Sequence, residues 1–225
     1  MKTPLFKAAI AIVRKDLQAE LRSRELLSSM SMFALLSILI FSFALQLDLN
    51  ARQEVVGGVL WVTVVFASIL GLNRSMATER EGGSFDAMLL APVDRVAVFF
   101  GKLVGNFIFA LTVGVMLLPL MSILYTMTLF NGWLLLTLLL GTMGFSITGT
   151  LLATMTVQTR ARESLLPILM LPVALPVLLP AVNATGGILR DAPFADWSGW
   201  LQILVAVALI YLVLCYMMFG YVLEE

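Results

Sequence analysis

The sequence predicts an all-α membrane protein in which six transmembrane helices follow an amphipathic helix lying at the membrane surface. Three observations lead to this fold class. Mean hydropathy is +1.01 and only 12% of the 225 residues are charged, far outside the range of a soluble globular domain. Six stretches reach the roughly 20 mostly apolar residues that a span requires: 28–47, 55–72, 96–120, 134–157, 165–182 and 201–221. Finally, 12 of the 14 Lys and Arg residues fall on one side of the alternating spans, with Arg52 and Arg190 on the other. By the positive-inside rule the crowded side, which includes both termini, is expected to be cytoplasmic. The spans use up most of the chain, so residues 1–225 are read as a single transmembrane domain.

Before the first span, Thr3-Pro4 is a plausible helix start, with a hydroxyl cap and proline at the first helical position. Phe6, Ile10, Val13, Leu17 and Leu21 then recur at helical spacing, with Lys7, Arg14, Lys15, Gln18 and Arg22 towards another side. This predicts an interfacial helix over 4–24. A secretory signal is the competing reading, but its apolar region should be continuous and here charges interrupt it.

The first two spans form a tight outer hairpin around Gln46-Leu47-Asp48, and Trp61 within the second reads as a lipid or packing residue. A polar island follows, Glu79-Arg80-Glu81-Gly82-Gly83-Ser84-Phe85-Asp86-Ala87-Met88-Leu89-Leu90-Ala91-Pro92. Gly82 and Gly83 permit a sharp turn. Ser84 is placed to cap a short helix over 84–92, Asp86 suits the positive end of its dipole, and Pro92 stops it. Phe85, Met88, Leu89 and Pro92 share one face of that helix. It is expected to be a cytoplasmic docking helix for a soluble partner.

The third span opens with Gly101-Lys102-Leu103-Val104-Gly105, a small-xxx-small pattern suited to close helix packing. Its Gly-Lys pair lacks the upstream glycine and the following Ser or Thr of a P-loop, so no nucleotide site is encoded. The uncharged outer loop from Tyr125 to Trp133 fits an interface-hugging turn with an aromatic anchor. In the fourth span Gly141, Gly144, Gly149 and Ala153, interleaved with Thr148 and Thr150, are expected to serve helix packing rather than a substrate path. Gln158 to Glu163, with Arg160, Arg162 and Glu163, is a second contact for a cytoplasmic partner.

Pro167, Pro172, Pro176 and Pro180 punctuate the fifth span, removing backbone donors and predicting kinks. A broken helix at membrane depth can line a pathway or move, and a merely bent helix packed in a bundle is the other reading. Asn183 to Trp200 is expected to be the longest outer segment, with Trp197 and Trp200 as interfacial anchors rather than stacking platforms. Asn183-Ala184-Thr185 is a formal glycosylation sequon.

Several chemistries lack the residues they need. Cys215 is a lone cysteine and histidine is absent, so a disulfide within the chain, a cysteine metal site and imidazole ligation of metal or haem are all excluded. No span carries an acid or base at its middle, as ion-coupled transport generally requires. No serine has an evident general base beside it, and the basic residues track the membrane boundary rather than forming a nucleic-acid stripe. What is left is a membrane subunit driven from outside its own sequence, and not an enzyme.

The order of interfacial helix, two-span hairpin, Glu79 to Pro92 island and four more spans resembles the permease subunits of ABC-2 type exporters. Gly58-Val59-Leu60-Trp61-Val62 leading into Leu72-Asn73-Arg74, with the proline series from Leu165-Leu166-Pro167 to Val173-Ala174-Leu175-Pro176-Val177, is similar more closely to the CcmB family, the haem exporter B proteins of cytochrome c maturation. Asn73 stands where an aspartate is expected in that family, and the longer tryptophan-rich motif of the partner subunit CcmC is missing. The resemblance implies a bacterial inner-membrane protein that pairs with a second copy of itself, with a separate CcmA-like ATPase, and with CcmC-like and CcmD-like membrane subunits. It implies ATP bound in the ATPase and haem handled by the complex, with no cofactor held directly by this chain. ATP hydrolysis would act on a coupling interface of Glu79, Glu81, Ser84, Phe85, Asp86, Met88 and Leu89, with Arg160, Arg162 and Glu163 secondary, and would release a haem-loaded CcmE-like chaperone outside. A general ABC-2 exporter permease for a lipid, drug or polysaccharide, and a non-transporting scaffold for haem-handling subunits, stand as alternatives.

Overall fold

A computed structural model of the chain describes residues 5–45, 49–83, 94–156 and 162–222. These residues form α1 (Leu5–Ser23), α2 (Glu25–Ala44), α3 (Leu49–Glu81), α4 (Arg95–Tyr125), α5 (Gly132–Thr156), α6 (Arg162–Leu189) and α7 (Phe194–Val222), with no strand among them. Six helices, all but α1, are long and apolar enough to cross a membrane. The all-α membrane fold is therefore as the sequence predicts. Thr3-Pro4 and the hairpin turn at Gln46-Leu47-Asp48 lie outside the described residues.

The central helices are α3 and α5. Both contact α4 and α6, and they contact each other; α2 packs on α3 and α4, while α7 packs on α5, α6 and α4. Position in the bundle follows from side-chain size. Trp61 on α3 is buried against Gly141 of α5, where a Cβ would run into the indole ring, and its Nε1–H donates to Thr185 Oγ1 on α6 at 2.9 Å. The small residues of the fourth span thus serve helix packing. Without side chains at such positions, three helices can close around one large aromatic group.

Close approach also seats α1. Gly101 of α4 faces it so tightly that a Cβ there would lie 2.8 Å from Ile12 Cβ, and one at Gly105 would lie 3.4 Å from Asp16 Oδ2. The glycine pair thus serves close helix packing, as the small-xxx-small pattern predicts, and the helix it receives is the amphipathic one. Phe6, Ile10 and Leu21 of α1 stay exposed, an apolar face suited to the headgroup boundary. Arg24, in the left-handed region at φ 55, turns the chain from α1 into α2.

One expectation is corrected at the far end of the bundle. The stretch from Asn183 to Trp200 is mostly helix: α6 runs on to Leu189 and α7 begins at Phe194. A Cβ at Gly187 would meet Trp197 Cβ at 2.6 Å, so α7 packs closely on the last turns of α6. The four prolines lie within one continuous α6, which fits the reading of a helix packed in a bundle. Leu166, Met170, Ala174, Val177 and Ala181 are buried at helical spacing on its inner face, so neighbouring helices hold the backbone while Pro172 and Pro176 point outward. Trp133, Phe194 and Trp197 form an aromatic cluster, with centroids 4.9 to 5.4 Å apart, that pins the α4–α5 and α6–α7 connections together.

Candidate functional site

Few apolar helices can bury an ammonium group, and α4 does. Lys102 sits in its first turns, 4% exposed, with Nζ 2.8 Å from Asp16 Oδ2 of α1 and paired with Glu79 Oε1 at the end of α3. Lys15 of α1 closes the arrangement, 2.8 Å from the same Glu79 oxygen and 3.2 Å from Asp16 Oδ1. Glu79 and Asp16 are 8% and 11% exposed, Lys15 42%. Removing charges from water is tolerable only because each meets an opposite charge, which makes the set mutually dependent. Burial pulls the Lys15 ammonium down, but the Glu79 and Asp16 carboxylates outweigh it and hold the group above its ordinary range.

Each member is positioned by its own helix. The amphipathic pattern of α1 turns Asp16 inward towards Gly105, where no side chain obstructs it. On α3 the inner row of Leu72, Met76 and Glu79 carries the buried face beyond the apolar run, which is why the helix extends to Glu81. On α4 the Asp94 carboxylate caps the first turn by accepting from the Val96 N–H at 3.0 Å. Lys102, Asn106 and Phe109 then follow on one buried face. Asn106 Nδ2 donates to Thr150 Oγ1 on α5 at 2.9 Å, extending the polar seam inward.

Glu20 adds a second link. Its buried carboxylate accepts the N–H groups of Leu26 at 3.2 Å and Leu27 at 2.8 Å, so α1 caps the start of α2. The Glu25–Arg74 pair at 2.6 Å is exposed on both sides and contributes only about 0–1 kcal/mol.

Sequence-predicted residues separate into three groups here. Glu79 faces the interior and binds α1 and α4, so its side chain is not on a docking surface as expected. Glu81 is exposed at the last position of α3, and Gly83, with φ 64, turns the chain away. Ser84, Phe85, Asp86, Met88, Leu89 and the whole 84–92 helix lie outside the described residues, as does Arg160; Arg162 and Glu163 start α6, with side chains outside the described set. Pro167 is half-buried and Pro180 buried, while Pro172 and Pro176 are exposed. Lys102, Asp16 and Glu20 are the residues sequence reading missed. The signal that could have found Lys102 is its position: a lysine seven residues inside α4 calls for a buried partner.

The model of the CcmB protein family matches residues 7–224. The chain belongs to the CcmB family. It is 29% identical over 189 residues to Heme exporter protein B of Pseudomonas aeruginosa, covering 84% of both chains. It is 29% identical over 194 residues to Heme exporter protein B of Rhodobacter capsulatus, covering 84% of this chain and 89% of the relative. Against Heme exporter protein B of Bradyrhizobium diazoefficiens it is 26% identical over 213 residues, covering 92% and 93%. Membership of this family and six apolar helices make the chain a multi-pass membrane protein with a transporter fold, as the resemblance implies.

Proposed function

We propose that this chain is the permease subunit of an ABC transporter complex of cytochrome c maturation, in the bacterial inner membrane with both termini cytoplasmic. In this reading a separate CcmA-like ATPase binds and hydrolyses ATP, and two copies of the permease carry the resulting motion across the membrane with CcmC-like and CcmD-like subunits. The outcome is haem handling, with release of a haem-loaded CcmE-like chaperone on the outer side. Haem belongs to the complex, and no cofactor is assigned to this chain.

The observation that carries the coupling role is the Lys15–Asp16–Glu79–Lys102 cluster. Glu79 lies a few residues before the 84–92 segment, so a force applied to that segment reaches α1 and α4 through buried ion pairs rather than through a flexible tether. A partner can shift a conformational equilibrium only by its differential affinity for two states, and a stiff link lets that difference reach the spans. Glu81, Ser84, Phe85, Asp86, Met88 and Leu89 form the primary ATPase contact in this reading, with Arg160, Arg162 and Glu163 secondary; Pro172 and Pro176 are proposed to give α6 its capacity to bend. The names of the relatives support the haem assignment.

The test is co-purification with the CcmA-like ATPase together with assembly of c-type cytochromes in cells. Phe85→Glu and Leu89→Glu should abolish co-purification while leaving the spans folded, and cytochrome c assembly should fail with them. ATPase retained at wild-type level by both variants would overturn the docking assignment. Normal cytochrome c assembly in cells lacking this chain would overturn the haem assignment.

A further inference from the structure

Helix α1 sorts its charges by face. It carries Lys7, Arg14, Lys15 and Arg22 against Asp16 and Glu20. Both acids turn inward: Asp16 meets Lys102 and Lys15, and Glu20 accepts the N–H groups at the start of α2. Lys15 joins them through Glu79. Lys7, Arg14 and Arg22 are left exposed, and among the described residues none of them is paired with a carboxylate. The outward face of the helix therefore presents cations and no acid of its own.

Apolar side chains run beside those cations. Phe6, Ile10 and Leu21 are 79%, 64% and 76% exposed, so no part of the bundle covers them. Lys7, Arg14 and Arg22 follow one another at intervals of seven and eight residues, close to two turns each, and flank the apolar row along the helix. Water is a poor neighbour for the apolar row and hydrocarbon for the basic one, whereas the boundary between acyl chains and headgroups suits both. Long basic side chains reach from that boundary to the headgroups. The face cannot roll away, since α1 is seated on Gly101 and Gly105 of α4 with Ile12 and Asp16 against them.

We propose that this face of α1 is a binding surface for acidic phospholipid, with Lys7, Arg14 and Arg22 on the headgroup phosphates and Phe6, Ile10 and Leu21 among the acyl chains. A zwitterionic headgroup brings its own cation to the phosphate, whereas an acidic one leaves the phosphate charge for the protein. Each Lys or Arg held near an anionic leaflet strengthens association roughly fivefold, and salt screens the gain. The occupant is the leaflet in which α1 lies. Neither haem nor the ATPase enters the assignment.

The experiment uses the full chain with Cys215→Ala and an NBD fluorophore on Gln18→Cys, an exposed position of α1 midway between Arg14 and Arg22. Phosphatidylcholine vesicles carry, as a minor component, a nitroxide quencher on either phosphatidylglycerol or phosphatidylcholine at equal amounts. Nitroxide phosphatidylglycerol should quench more strongly, with a local enrichment on the order of fivefold at low salt. The excess should shrink at about 1 M salt, where charges are screened within roughly 3 Å. Lys7→Gln, Arg14→Gln and Arg22→Gln together should abolish it. If that triple variant does not insert, Lys7→Gln with Arg14→Gln serves in its place, and tryptophan emission shows whether each bundle is intact. A fluorophore on Val213→Cys, on the exposed side of α7, should show no excess in any variant. Equal quenching by the two lipids at Gln18, or a preference that survives the substitutions, would overturn the surface. Quenching by neither lipid would overturn it too, and would leave the basic row to an acidic protein partner.

Discussion

Replacing Lys102 with methionine keeps the stem that packs in α4 and removes the ammonium that lies between Asp16 and Glu79. Those two carboxylates are 11% and 8% exposed, so water cannot take over from Lys102 without opening the contact between α1 and α4. Breaking a buried pair from one side costs about 3–5 kcal/mol, and this is the magnitude expected for Lys102→Met. Replacing Lys102 and Glu79 together, as Met and Leu, removes both buried charges of that pair and should recover a large part of the loss, giving a coupling of roughly 0.5–3 kcal/mol between neighbours. Cys215 supplies the assay: it is the chain's one cysteine and is 4% exposed on α7, so a thiol-reactive fluorophore in detergent reports the melting of the bundle. Lys102→Met should react at a markedly lower temperature than the double variant. Equal stability of wild type and Lys102→Met, or a double variant whose loss is the sum of the two single losses, would refute the interdependence of the cluster.

Cysteine placed at Ala87 should be labelled only from the cytoplasmic side of intact vesicles, and labelling from outside would overturn the proposed topology. Gly141→Leu should cost about 1–3 kcal/mol by forcing Trp61 out of its place, measurable as a shift in tryptophan emission together with a lower Cys215 melting temperature. Glu20→Gln leaves an amide where a carboxylate caps α2 and should cost about 0.5–2 kcal/mol, with increased proteolysis at Ser23–Arg24 as the local readout. Because the Lys15 ammonium is held above its ordinary value of 10.5, the stability it contributes is complete below pH 10.5 and is lost as pH rises through its raised pKa. Lys15 is 42% exposed and screened, so the step is small, and it should be absent from the alkaline melting profile of Lys15→Met.

Much of the fold is legible in the sequence because a bilayer imposes a length and a polarity that no local alternative satisfies. The six spans and the amphipathic helix before them follow from that constraint, while Trp61 reads as a lipid or packing residue until its burial against Gly141 decides for packing. Legibility fails where helical side chains meet across the bundle. Asn183 to Trp200 looks like one long outer segment until Trp197 packs against Gly187, and the proline series leaves a broken and a merely bent helix open until the inner row from Leu166 to Ala181 is held by neighbours. Glu79 illustrates the same point at the candidate site. In the chain it opens a polar island, and one more turn of α3 carries it to the buried side.

The sequence by itself determined the class of molecule, the number of spans, the charge asymmetry and the lack of histidine, since these depend on composition and period alone. Only the tertiary structure decided that Lys15, Asp16, Glu79 and Lys102 form one cluster and that Glu20 of one helix caps another. These groups are far apart in the chain, and a period identifies the face a residue occupies but not the helix that face will meet. A buried charge announces that a partner exists; packing decides which one it is.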